Sequence, residues 1–246
     1  MLSVIIITKN EAQSIEPCLK SISWANEVIV IDCGSTDNSV SICEHYGAKV
    51  LQNDWQGFGK QKNYALSHAT GDWVLSIDAD ERVTPQLKNE IQDAIASSNT
   101  VVAWEIPRLS SLCGKYIQHC GWRPDRVIRL FKNGNAIFSD DIVHEKLIVN
   151  GKVGRLKNHL LHESIENIDD LLAKMNQYTS AGALMLKEQN QNTSLTKAVF
   201  KAFWAFFRCY VLRAGFLDGR EGFIISVSMA ESSYYRQVKL LMMQSR

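Results

Sequence analysis

The chain has 246 residues, of which 46% are hydrophobic, and a formal net charge of +1 at pH 7. This length suits one large α/β domain, or one domain with a helical appendage, whose core needs no disulfide or metal to stabilise it. The nearly neutral charge creates no global field that would favour nucleic acid or a strongly acidic protein, so we expect neither as a partner.

Two features indicate the cellular compartment. The first eight residues lack a basic n-region and turn polar at once, which predicts a buried strand and not a secretory signal. The six cysteines show no CxxC spacing, so the sequence predicts neither a zinc site nor a disulfide framework. This cysteine usage favours a reducing, cytoplasmic compartment.

Strands and helices alternate along the first hundred residues. In chain order, we predict strand 4–7, helix 14–23, strand 27–31, strand 48–51, helix 58–69 and the strand that leads to Asp78. The short connections predict a mostly parallel, doubly wound α/β sheet with flanking helices. In such a sheet ligands bind beyond the carboxyl ends of the strands, which is where Thr8, Asp32 and Asp78 fall.

The stretch 72–81 carries the strongest chemical signal. Its apolar residues end in Asp78 and Asp80, which are separated by one small residue. Because side chains alternate along a strand, both carboxylates would leave the sheet on the same side. Mg²⁺ commonly binds one or two carboxylates and takes its other ligands from substrate phosphates, so the pair predicts a metal–diphosphate site. The alternative is an acidic turn before a helix that begins at Thr84-Pro85.

Four motifs follow one another in the first hundred residues, namely 4–11, 32–37, 61–63 and 71–80. Their residues and spacing resemble the family 2 glycosyltransferases of the GT-A fold, and Cys33 departs only mildly from the family's pattern. The resemblance implies a Rossmann-like GT-A domain that binds a nucleotide-sugar donor.

The same resemblance implies roles for five side chains. Thr8 and Asp32 would hold the uridine base and ribose, and Lys62 would lie near the base or the diphosphate. Asp78 would bind the ribose or the metal, and Asp80 would bind the metal, Mg²⁺ or Mn²⁺, directly. Simpler alternatives stay open for two of these residues. Asp32 could have the structural role of closing a turn, and Lys62 could lie on the polar face of a helix.

The middle of the chain predicts an acceptor site. Between two further predicted strands, 101–107 and 127–131, the residues from Ser110 onward are loop-forming and rich in aromatic side chains and arginine. Trp122 could stack on a sugar ring, and we predict that Trp122 and Arg129 bind the acceptor. The alternative for Trp122 is a side chain that fills the edge of the core.

Inverting sugar transfer needs a base that accepts the proton of the acceptor hydroxyl. The resemblance suggests a carboxylate in the segment 142–147, and Glu145 is the predicted base, with Asp140 and Asp141 as competitors. A surface acidic cluster is the alternative for all three. His162 could add a ligand to the metal or the diphosphate, although a lone histidine is more often structural.

The C-terminal third is predicted to be helical, with helices over 167–188 and 224–242. Between them, the aromatic-rich segment 198–213 contains three central cations, which disfavours a bilayer span. It suits a helix in the membrane interface, or one packed on the catalytic domain. We therefore predict a GT-A catalytic domain, 1–160, and a helical extension, 161–246, with potential contact to a membrane surface.

A looser, second resemblance spans most of the chain and rests on Gly121-Trp122, Asp125, Arg129–Phe131, Val143–Glu145 and His162–Ser164. It is to the bacterial glucosyltransferases that extend the inner core of lipopolysaccharide. The leading hypothesis is an inverting, metal-dependent hexosyltransferase that moves glucose from UDP-glucose to a heptose. The heptose would belong to a saccharide or lipid-linked acceptor, and the reaction would take place at the inner face of the cytoplasmic membrane. The alternatives are a sugar nucleotidyltransferase and a non-catalytic protein that binds nucleotide sugars.

Overall fold

The structure, a computed structural model, describes residues 1–97, 100–139 and 146–244. The strands are Leu2–Thr8 (β1), Glu27–Asp32 (β2), Lys49–Gln52 (β3), Trp73–Ser76 (β4), Glu81–Val83 (β5), Val101–Leu112 (β6), Lys115–Tyr116 (β7), Asp125–Lys132 (β8), Ala136–Phe138 (β9), Leu147–Val149 (β10), Lys152–Arg155 (β11) and Leu160–Ile165 (β12). The helices are Ile15–Ser21 (α1), Ser39–His45 (α2), Phe58–Ser67 (α3), Pro85–Ser97 (α4), Ile168–Glu188 (α5), Leu195–Phe207 (α6) and Gly219–Gln244 (α7). A π-helical turn, Arg208–Leu212, and a 3₁₀ turn, Gly215–Asp218, connect α6 to α7.

In the described part of the chain, ten strands form one sheet with the order β3-β2-β1-β4-β8-β6-β12-β5, and β7 and β11 also pair with β6. The first four strands of this order are parallel to one another. Strand β8 is antiparallel to both β4 and β6. Helices flank the sheet, and the predicted α/β class with a mostly parallel sheet is confirmed.

Strand β1 shows why the parallel half of the sheet is buried. Val4 and Ile6 belong to one apolar cluster with residues of α1, whereas Ile5 belongs to a second cluster with Ala65 of α3. Since successive side chains of a strand point to opposite faces, β1 is covered on both sides and needs an apolar residue at each position. The continuous apolar run 4–7 is thus confirmed as a central strand.

Strand β4 ends earlier than predicted. It stops at Ser76, and the next residues form a turn in which the Glu81 N–H donates to the Asp78 carbonyl oxygen at 3.0 Å. Strand alternation therefore does not apply to Asp78 and Asp80, and the argument that placed both carboxylates on one side of the sheet does not hold. The turn leads into β5 and then α4, where Thr84 Oγ1 accepts from the Leu87 N–H at 3.1 Å.

A second difference concerns the segment that begins at Ser110, which was predicted as a loop. Residues up to Leu112 continue β6, because they form a hairpin with β7 in which Leu112 pairs with Lys115. The tight turn uses Cys113 and Gly114, both with positive φ.

The chain divides into two compact units. The first comprises Met1–Arg108 and Asp125–His162, and the second comprises Leu109–Pro124 and Glu163–Arg246. This division differs from the predicted 1–160 and 161–246 mainly in the segment 109–124, whose apolar residues share a cluster with Ile225 of α7. None of the described helices is both long enough and apolar enough to cross a membrane.

Candidate active site at the strand ends of the first unit

Strands β1 and β2 end side by side, with Thr8 paired to Asp32. Asp32 Oδ2 accepts hydrogen bonds from the backbone N–H groups of Gly34 at 3.0 Å and Ser35 at 2.9 Å, so this carboxylate does close the turn. Asp32 Oδ1 and Thr8 Oγ1 are buried and have no hydrogen-bond partner among the described residues. Because a buried polar atom without a partner is unfavourable, both oxygens indicate a ligand-binding position.

A pocket of about 310 Å³ lies beside Thr8, and its lining includes Lys9, Glu11, Cys33, Trp55 and Phe58. The rings of Trp55 and Phe58 are 48% and 45% exposed and meet edge to face, with centroids 4.7 Å apart. Exposed aromatic rings next to a buried hydrogen-bond acceptor atom, the Thr8 Oγ1, suit a planar heterocycle that stacks on the rings and donates a hydrogen bond. The sequence analysis missed both rings; the signal that could have found them is an aromatic pair around Gly57, directly before α3.

Asp78 lies between two cations. Its Oδ1 is 3.3 Å from Lys62 Nζ, and its Oδ2 accepts a hydrogen bond from Arg129 Nη2. Burial alone would raise the pKa of Asp78, but Arg129 and Lys62 outweigh this effect and hold the pKa well below its usual range. Lys62 is only 5% exposed, so the alternative of a solvated lysine on a polar helix face is wrong.

Glu81 is fully buried and organises the turn that carries Asp78. Its Oε1 is 2.7 Å from Arg129 Nη2 and 3.4 Å from Arg108 Nη1, and its Oε2 accepts from the Asp78 N–H at 3.0 Å. Arg108 in turn donates to Asp125 Oδ2 at 2.8 Å. Three cations thus neutralise three carboxylates in the cluster formed by Lys62, Asp78, Glu81, Arg108, Asp125 and Arg129, which we call the charge cluster. Sequence reasoning missed the role of Glu81.

Asp80 pairs with a different residue, His162, whose Nε2 is 3.2 Å from Asp80 Oδ2. The two side chains are brought together because Glu81 of β5 pairs with His162 of β12. Both remain accessible, with the Asp80 side chain 29% and the His162 side chain 16% exposed. A carboxylate and an imidazole in this arrangement can serve as two ligands of a divalent cation.

Within residues 1–97, 100–139 and 146–244, no group of three or more His, Cys, Asp and Glu side chains could hold a metal ion by itself. Asp78, predicted as a further ligand, has its carboxylate oxygens engaged by Lys62 and Arg129. The donor set of Asp80 and His162 therefore fits a cation that takes its remaining ligands from a diphosphate and water.

The remaining predicted site residues are placed as follows. Arg129, predicted to bind an acceptor, is 7% exposed, and its guanidinium is used within the charge cluster. Trp122 belongs to the second unit and packs at the edge of an apolar cluster there. Glu145 and its competitors, Asp140 and Asp141, lie outside the described residues.

Comparison with known proteins identifies relatives over nearly the whole chain. The family model for glycosyl transferase family 2 matches residues 3–145. A Rickettsia felis protein named "Uncharacterized glycosyltransferase" is 33% identical over 97% of this chain and 89% of its own length. The lipopolysaccharide core biosynthesis glycosyltransferase LpsC of Rhizobium meliloti is 27% identical over 97% of this chain and 91% of LpsC.

Among solved structures, residues 1–349 of S. aureus TarS in complex with UDP-GlcNAc match with a TM-score of 0.50 and 16% sequence identity. The match covers all of this chain and 92% of the TarS chain. At this level of identity, the similarity shows a common fold.

Proposed function

The chain belongs to glycosyl transferase family 2, and on that premise we propose that it is an inverting, divalent-metal-dependent hexosyltransferase whose donor is a uridine diphosphate sugar. The observation that supports the donor class most is the pair of buried oxygens without partners, Thr8 Oγ1 and Asp32 Oδ1. A uracil ring can stack on Trp55 or Phe58 and donate its N–H to Thr8, and a ribose hydroxyl can donate to Asp32.

The residues around Asp78 suit the rest of such a donor. We propose that Asp80 and His162 hold Mg²⁺ or Mn²⁺ and that Asp78, whose side chain is 32% exposed, contacts the ribose. When bound, the cation would neutralise the charge that develops on the leaving diphosphate. In this proposal Arg129 is a positioning residue, because it fixes Asp78 against Glu81 and contacts no sugar itself.

Inversion follows from a single displacement. The acceptor hydroxyl attacks the anomeric carbon from the side opposite the diphosphate, and a glycosidic bond forms as the bond to the diphosphate oxygen breaks. The electron pair of the broken bond leaves with UDP, and the hydroxyl proton passes to a carboxylate. We propose Glu145 as this base and the partly exposed Trp122 as a contact of the acceptor sugar.

The similarity to LpsC supports a narrower proposal for the acceptor. We propose a saccharide of the lipopolysaccharide core, with its heptose as the attacking sugar and glucose as the transferred hexose. A lipid-linked acceptor of this kind would place the reaction at the cytoplasmic face of the inner membrane.

A donor screen tests the proposed function. The protein is incubated with Mn²⁺ and a panel of nucleotide sugars, including UDP-glucose, with and without a heptose-containing core oligosaccharide. Acceptor-dependent release of UDP and a product heavier by one hexose are expected. In a parallel incubation with UTP and glucose 1-phosphate, release of pyrophosphate would favour a nucleotidyltransferase. Binding of UDP-glucose without turnover would favour a non-catalytic protein.

A Thr8→Val variant is expected to bind UDP about fivefold to tenfold more weakly, because the base loses a hydrogen-bond acceptor. Its free energy of unfolding should stay the same or rise, since a methyl group replaces a buried hydroxyl that has no partner in the described structure. Calorimetry with UDP and urea denaturation measure the two quantities.

The matched control is Thr84→Val, which removes the Oγ1 atom that accepts from the Leu87 N–H. This variant should lose about 1 kcal/mol of stability and keep its UDP affinity. If Thr8→Val lost stability but bound UDP normally, Thr8 would have a structural role and the proposed base site would be wrong.

A Glu145→Gln variant should keep its donor affinity and lose about 100-fold in turnover, because the amide cannot accept the hydroxyl proton. The measurement is steady-state transfer together with calorimetry of UDP. Asp140→Asn and Asp141→Asn are the controls. Full activity in Glu145→Gln, with loss of activity in one of the controls, would assign the base to that aspartate.

A further inference from the structure

Helix α6 of the second unit exposes large apolar side chains. Phe200 is 70% exposed and Phe203 is 68% exposed, and Val199 and Leu195 beside them are more than half exposed. These residues line an apolar hollow of about 590 Å³ on the surface of the unit. A contiguous patch of this kind marks an interaction surface more often than it marks an ordinary part of a protein surface.

The packing of α6 is the reverse of the usual amphipathic helix. Its buried positions are small, with Ala198 fully buried and Ala205 8% exposed, and the helix packs on α7. Phe200 and Phe203 lie exposed, whereas Phe206, nearer the end of the helix, contacts the ring of Phe223 of α7. If water alone surrounded α6, this arrangement would be unfavourable, because the small Ala side chains are buried while the large Phe200 and Phe203 side chains, which gain most from leaving water, stay exposed. The outward face therefore fits an apolar environment.

Cations border this face. Lys197 and Lys201 are one helical turn apart, and Arg208 and Arg213 follow, while the sequence contains no Asp or Glu between Glu188 and Asp218. Partial burial is the main cause of the lowered pKa of Lys201, and the neighbouring positive charges of Lys197 and Arg236 lower it further. An apolar face with a cationic edge is the pattern of a helix that lies in the interface of an anionic membrane.

We propose that the exposed face of α6 docks on the surface of an anionic lipid bilayer, with Phe200 and Phe203 inserted below the headgroups and Lys197 and Lys201 at the lipid phosphates. A second copy of the chain is a poorer occupant, because a symmetric contact would bring the same cationic edge against itself. The inference goes beyond sugar transfer and does not depend on it, since docking requires neither donor nor acceptor.

Vesicle flotation at low salt tests the proposal on the full chain. We expect binding to vesicles of phosphatidylcholine with one-third phosphatidylglycerol, and much weaker binding to phosphatidylcholine alone or at high salt. A Phe200→Ser/Phe203→Ser variant should lose about tenfold or more in partition coefficient. A Lys197→Gln/Lys201→Gln variant should lose about fivefold for each cation.

Matched controls are Ile137→Ser/Ile148→Ser, two similarly exposed apolar residues of the first unit, and Lys152→Gln/Lys157→Gln, two exposed lysines there. Both controls should bind vesicles as the unmodified chain does. Absence of binding to anionic vesicles, or unchanged binding of both α6 variants, would overturn the proposal. A different result would favour a second copy of the chain as the occupant of this face. In that case light scattering shows a dimer, the Phe200→Ser/Phe203→Ser variant is a monomer, and the unmodified chain does not bind vesicles; this result would overturn the proposal.

Discussion

An Asp80→Ala variant is expected to lose the dependence of UDP binding on a divalent cation and about 1,000-fold in turnover, equivalent to several kcal/mol of transition-state stabilisation. Asp80 supplies the accessible carboxylate of the proposed cation site, and His162 is its neighbour at 3.2 Å. The imidazole left behind would hold the cation only weakly. Calorimetry of UDP with and without Mn²⁺ measures the binding effect directly.

The matched control for this variant is Asp93→Ala, which removes an exposed carboxylate of α4. It should bind UDP with the same cation dependence as the unmodified chain. His162→Ala should fall between the two, with Mn²⁺-dependent UDP affinity reduced about tenfold to 100-fold. If Asp80→Ala kept its full Mn²⁺-dependent affinity, the cation would have to bind elsewhere and the proposed site would be wrong.

An Arg129→Met variant is expected to lose about 3–5 kcal/mol of stability, because the fully buried carboxylate of Glu81 loses its closest cation. This loss is a large part of the stability of an ordinary domain. Asp78 also loses a partner, although it keeps Lys62 at 3.3 Å. The position of Asp78 should therefore become less defined, and UDP affinity should fall together with stability. Urea denaturation and UDP calorimetry report the two effects.

Arg126→Met is the matched control, because Arg126 lies on the same strand and is exposed, and within the described ranges its side chain makes only a 3.3 Å hydrogen bond, to the Leu156 carbonyl. Its effect on stability should be within about 0.5 kcal/mol. The double variant Glu81→Gln/Arg129→Met should recover about half of the loss, because the amide carries no charge to bury. A loss below about 1 kcal/mol in Arg129→Met would contradict the structural role of the charge cluster.

The sequence was sufficient to predict the parallel half of the sheet. Strand β1 has an apolar residue at every core position from Val4 to Ile7, and this pattern depends only on burial of both faces. Thr8 and Asp32 were found for the same reason, since residues that end neighbouring parallel strands lie at one edge. These inferences need only local patterns and a topological rule.

The charge cluster could not be predicted in this way, because its ion pairs join residues far apart in the chain. Glu81 contacts Arg108 and Arg129, and nothing in the local sequence distinguishes it from an exposed acidic residue of a turn. Arg129 is predicted at the acceptor from its place in an arginine-rich and aromatic-rich segment, whereas β8 carries it to the turn next to β4. Likewise, only the structure shows that Asp78 and Asp80 have different partners.

The balance of three cations and three carboxylates in the charge cluster limits how this enzyme can be re-engineered. Saturation mutagenesis at position 81 or 129 alone will return few folded proteins, because each single exchange leaves an unmatched ion. Libraries that randomise both positions together can reach neutral pairs that single-step selection never samples.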